Sequence, residues 1–123
     1  MEPVNTGAGR VQPLDAAEYM EITLTEKNGA IESAAFSCSE NETLARCGET
    51  LCGLLPGHAV PDVFLTDNKV IYYNIEPPLE RSELWLASMA VLAAKRAAAD
   101  WCRKNGLSVP VAETGCACIT ETD

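Results

Sequence analysis

Cys38, Cys47, Cys52, Cys102, Cys116 and Cys118 are the side chains with most chemistry to offer in a sequence that has a single histidine, His58. The opening stretch MEPVNTGAGRVQPLD has no charged leader followed by an apolar run, so it does not read as a signal peptide and a cytoplasmic chain is expected. Structural disulfides are improbable in that setting, which leaves soft-metal, cluster or sulfur chemistry, or small buried hydrophobes. Cys38 falls in a loop just before a helix, where the dipole would lower a thiol's pKa and raise its nucleophilicity. Cys47 and Cys52 are five apart on one helix, about 140° round it, and cannot easily share a metal. Cys47 reads as core, Cys52 stays open, and Cys102, after Trp101, reads as core. Cys116 and Cys118 stand one residue apart behind Gly115, a pair able to chelate a soft metal, form a strained disulfide or hand over a persulfide. A chance pair in an unordered tail explains them equally well.

Other chemistries find little to build on. His58 follows Pro56-Gly57 in a polar loop and reads as solvated. No phosphate-cradling glycine loop, nucleophile triad or metalloprotease helix is present. The net charge of −9 makes nucleic acid a poor partner and an anionic membrane a worse one. The longest uncharged apolar run is too short to cross a bilayer. At 47% hydrophobic and 22% charged residues the chain is ordinary for one globular domain.

The elements that must position the thiols are legible in part. A long alanine-rich helix is predicted from Ser82, its N-cap, to about Lys104, roughly 33 Å of rod ended by Gly106. Leu84 to Ala94 carries no charge on any face and implies burial nearly all round. Further on, Lys95, Arg96, Asp100, Arg103 and Lys104 hold one side, opposite Ala94, Ala97, Ala98, Trp101 and Cys102. Met20 to Thr25 alternates apolar and polar, Asn28-Gly29 signals a tight turn, and Ala30 to Phe36 returns as a second strand. Ser39 and Glu42 form a capping box for a helix running to Pro56-Gly57. Val63–Thr66 and Val70–Ile75 read as extended structure that could pair as a second hairpin, with Tyr72 and Tyr73 on opposite faces; a helix across 70–75 is the weaker alternative, given the β-branched and aromatic residues. Residues 1–13 read as a flexible leader, Leu14 to Tyr19 as a short helix capped by Asp15, and Glu76-Pro77-Pro78-Leu79 as an extended entry to the long helix. Residues 107–123 form an acidic Cys-x-Cys tail, expected to be mobile at least in part. The fold class is therefore α+β: a small antiparallel sheet based on a hairpin, packed against helices, within one domain over 14–106.

This order resembles the NifU/IscU family of iron–sulfur cluster assembly scaffolds, which shares its fold with the SufE sulfur acceptors. The stretches that carry the likeness are MEITLTEKNGAIESAAFSC (20–38), EPPLERSELWLASM (76–89) and AAKRAAADW (93–101). The resemblance implies a scaffold or sulfur carrier rather than an enzyme, with a cysteine desulfurase and a chaperone as partners and an iron–sulfur cluster or zinc as cargo. Its cysteine motifs are incomplete here. The pre-strand stretch is Asp15-Ala16-Ala17-Glu18 and the start of the last helix is Trp85-Leu86-Ala87-Ser88, neither with a cysteine. Only Cys38, in Ser-Cys-Ser, stands near a family thiol position. Pro77-Pro78 resembles the family's chaperone-docking pair, but Glu76 and Glu80 flank it. Cys38, joined by Cys116 and Cys118 if the tail folds back, is thus the expected cluster-, metal- or sulfur-binding set. The competing expectation is an interaction module that keeps the fold without the cluster.

Overall fold

A computed structural model describes residues 4–14 and 17–109. Three antiparallel strands lie in the order β1 (Thr6–Val11), β2 (Met20–Lys27), β3 (Ala30–Cys38). Helices α1 (Glu42–Leu54), α2 (Lys69–Tyr72) and α3 (Leu84–Lys104) follow, with 3-10 turns at Val60–Leu65 and Arg81–Glu83. The chain is thus α+β, as its pattern predicts.

The β2–β3 hairpin turns where expected. Asn28 (φ 56°) and Gly29 (φ 88°) both take the positive φ that a tight primed turn needs, and Glu26 accepts from the Gly29 N–H at 2.7 Å. Met20, Ile22 and Leu24 point inward from β2 and are fully buried.

The leader expectation fails at Thr6–Val11, which is a strand paired along its whole length with β2, from Thr6↔Thr25 to Val11↔Met20. Its glycines explain both the misreading and the fold. Gly7, Gly9 and Val11 face inward, and a methyl built on Gly9 would collide with the backbone of Ala93 and Ala97. One on Gly7 would collide with the Ala97 carbonyl and with Trp101. Strand backbone rests directly on helix backbone, so only glycine fits, and the facing helix must be alanine. Ala93, Ala94, Ala97 and Ala98 are accordingly fully buried in α3.

Four other expectations need correction. The α-helix begins at Leu84, not Ser82; Glu80 and Glu83 cap each other reciprocally over the preceding 3-10 turn. α1 is capped by Asn41, whose Oδ1 accepts from the Leu44 N–H at 3.0 Å, and Ser39 serves elsewhere. The second hairpin does not form. Val63 and Phe64 enter the core from a 3-10 turn, and Asp67 accepts from the Lys69 N–H to start α2, which ends on the half-buried Tyr72 with the exposed Tyr73 just past it. Burial of Val60, Val63 and Ile71 overrides the β propensity of the segment. Residues 17–19, the described end of the predicted first helix, are not helical.

Candidate functional site

β3 ends at Cys38, beside Met20 at the rim of the sheet, and the chain then turns into α1. A polar lattice fixes this turn. The Ser39 N–H donates to the Tyr19 carbonyl and the Tyr19 N–H donates back to Ser39 Oγ, both at 3.1 Å. Asn41, besides capping α1, donates from Nδ2 to Glu18 at 3.3 Å. From the first turns of α1, Thr43 donates to Glu83 at 3.0 Å and Arg46 to the Pro77 carbonyl at 2.8 Å. The pre-strand segment, the start of α1 and the approach to α3 are therefore tied together: the Tyr19–Ser39 and Glu18–Asn41 bonds lie next to Cys38 in sequence, and Arg46 and Glu83 lie near the buried Cys47. Sequence reading singled out Cys38 here and passed over Glu18, Asn41, Thr43, Arg46 and Glu83. Asn41 was within reach, since asparagine two residues before a Thr-Leu pair is a good N-cap; the others are joined only by the fold.

Cys38 is half-buried, and burial pushes its thiol above the ordinary value of 9.0, against the expected lowering by the helix dipole. The other described cysteines, Cys47, Cys52 and Cys102, are buried. Cys47 is pushed up to about 11 by burial, outweighing the nearby Arg46, and burial alone lifts Cys52 to about 11. Cys102 is also raised by burial. Glu83 is held below the usual carboxylate value by the Glu80 N–H first and by the Thr43 hydroxyl second. Pro77 and Pro78 are exposed, and Pro77 lends its carbonyl to Arg46. His58 is exposed at the edge of an apolar surface cavity of about 420 Å³ that Leu51, Leu55, Val63 and Val70 help to line.

Cys116 and Cys118 lie outside the described residues. Where α3 ends does bear on them. Asn105 exchanges hydrogen bonds with the backbone of Val4, at the end of the sheet opposite Cys38. The six residues of β1 separate the two ends, a path of about 20 Å at roughly 3.3 Å per residue. Among the described residues no three His, Cys, Asp or Glu side chains gather as a metal site. The described residues alone thus supply one accessible thiol and no ligand set for a cluster or zinc. No helix among them is long and apolar enough to cross a membrane. No known protein-family model and no curated protein matches the chain.

Proposed function

We propose that the chain is a divergent NifU/IscU-like protein of cytoplasmic iron–sulfur assembly that carries sulfur on Cys38 and is not itself a catalyst. The observation that carries this reading is the accessibility of one thiol: of the described cysteines only Cys38 is not buried, and it ends a strand at the sheet rim. The element order, three antiparallel strands followed by helices with a long final helix, supports the resemblance. In the transfer step the Cys38 thiolate attacks the outer sulfur of a persulfide on a donor cysteine. A new S–S bond forms, the donor's S–S bond breaks, and the donor cysteine leaves as a thiolate that takes up the proton Cys38 gave away. No net oxidation occurs. Holding a cluster would need further thiolates, for which Cys116 and Cys118 are the candidates.

The test is incubation with a cysteine desulfurase and cysteine without oxygen, then mass spectrometry of the intact chain. Wild type is expected to gain one sulfur atom, Cys38→Ser none, and the Cys116→Ser/Cys118→Ser pair to keep the gain. A second reading is the module that binds partners without sulfur chemistry, and the raised Cys38 thiol favours it. Absence of sulfur on Cys38 in wild type would select it.

A further inference from the structure

We propose that the free edge of β3, from Ala34 to Cys38, is a strand-addition site for an extended, positively charged segment of a partner protein. The proposal goes beyond sulfur transfer, because it needs only backbone groups and carboxylates.

Ladder geometry fixes which residues face out. Ser39 bonds inward to Tyr19, so the alternation of an antiparallel pair turns Ser37, Ala35 and Ser33 toward β2 and leaves Cys38, Phe36 and Ala34 facing outward. The far side of the sheet agrees. The Ala8 N–H points away from β2 to Asp100, so Gly7, Gly9 and Val11 bond to Leu24, Ile22 and Met20. Those β2 residues are the ones opposite Ala34, Phe36 and Cys38, whose backbone groups must then face the other way. None of these outward groups has a partner among the described residues. The start of β3 is different: the Ile31 N–H donates to the His58 carbonyl, and the Ile31 carbonyl accepts from the Gly57 N–H. The open template is therefore confined to Ala34–Cys38, a length suited to a short added strand.

Charge selects the occupant. Gly48 of α1 faces Phe36, while Thr43 reaches across to Glu83 on the α3 side. At 100° per residue, Glu42, Ala45 and Glu49 then occupy the flank of α1 on the side of the open edge. Glu42 and Glu49 are exposed there, and Glu40 is exposed just past Cys38. On the outer face a shallow cavity of about 180 Å³ between Glu21, Thr23, Ala35 and Ser37 offers a seat for one long side chain of the added strand. A second copy would bring the same carboxylates against these. Residues 110–123 carry Glu113, Glu121 and Asp123 and no lysine or arginine. Both are repelled, and a segment rich in lysine or arginine is attracted.

The probe is a ten-residue, end-blocked peptide alternating lysine with valine and threonine, titrated into the full chain while amide exchange is followed by NMR. Ala34→Pro removes an outward N–H but no ladder bond, and the pair Glu42→Lys/Glu49→Lys reverses the flanking charge on exposed positions that leave the core intact. The peptide is expected to slow exchange at Ala34, Phe36 and Cys38 by roughly tenfold or more, with affinity falling as salt rises and roughly tenfold weaker in the charge-reversed pair. Cys38→Ser keeps the backbone edge and should bind as wild type, so the outcome is separable from the sulfur test. Absence of protection at these amides, unchanged affinity in the charge-reversed pair, or amides already protected in the free full chain would each overturn the proposal.

Discussion

At the β1 edge the outward N–H of Ala8 donates to Asp100 at 2.9 Å and the outward carbonyl of Arg10 accepts from Arg96 at 2.9 Å. At the β3 edge the outward groups of Ala34, Phe36 and Cys38 meet nothing among the described residues. The two edges belong to one sheet, and each is packed on a helix. They differ in how closely that helix approaches. Glycine at positions 7 and 9 lets α3 lie backbone against backbone on β1, so its next polar side chains reach over the edge and seal it. At β3 the spacer is a side chain, the Phe36 ring seated on Gly48 of α1, and the residues flanking that contact on α1, Glu42 and Glu49, present acceptors only. The charges follow suit. Beside β1 a surface cavity of about 380 Å³ is lined by Arg10, Arg96, Arg103 and Asp100, whereas the β3 side is acidic. An edge is closed by the residues that let a helix come near as much as by those that form the bond.

The comparison breaks most readily at Gly9. Gly9→Ala places a methyl into the Ala93–Ala97 backbone, which has no side chain to yield. It should cost about 3 kcal/mol in a urea melt; a loss under about 1 kcal/mol would mean that β1 does not rest on α3. Asp100→Ala comes next. Partial burial would raise the Asp100 carboxyl, but the Ala8 N–H, Lys104 and Arg103 together bring it below the ordinary 3.8. A carboxylate lowered in the folded state contributes its stability above the unfolded value and loses it as pH falls through the lower folded one. The variant should lose about 1 kcal/mol at neutral pH, and wild type and variant should converge as the pH drops below about 4. Faster amide exchange at Ala8 would tie the loss to the edge.

Gly48→Ala is the matching change on the β3 side. Its methyl would lie 2.8 Å from the Phe36 ring, but that ring is half-exposed and can move. Removing a helix-interior glycine gains up to about 1 kcal/mol, so the net change should stay within about 1 kcal/mol of zero. A loss as large as that of Gly9→Ala would put the two packings on the same footing. The smallest effect is a rate. With its thiol raised by burial, Cys38 should react with iodoacetamide at neutral pH several-fold more slowly than a small free thiol, and faster as the pH rises toward 9.0 and beyond. Cys47 and Cys52 should react only when the chain unfolds. A Cys38 faster than the free thiol would restore the dipole-activated thiol that the sequence suggests.

How much was legible divides along the same lines. The hairpin at Asn28-Gly29 and the alanine-rich helix follow from local rules, because turn dihedrals and helical periodicity are properties of a few neighbouring residues. The strand at Thr6–Val11 was not legible. Glycines at alternating positions look like a flexible leader until the alanines some 90 residues later are known to face them. The segment 63–75 misled for the converse reason: its β-branched residues favour strand, but a 3-10 turn and a short helix are what carry Val63, Phe64 and Ile71 into the core. Within the site, position singled out Cys38, while the sign of its pKa shift depended on burial, which no run of neighbours encodes.

By itself the sequence determined the α+β class, the place of the hairpin turn and the buried alanine face, since each rests on residue types at fixed spacing. Tertiary structure decided which segments became strands, which edge stayed open, and that Cys38 is half-buried, with its thiol pKa raised. Those outcomes depend on what a distant part of the chain brings within hydrogen-bonding or van der Waals range.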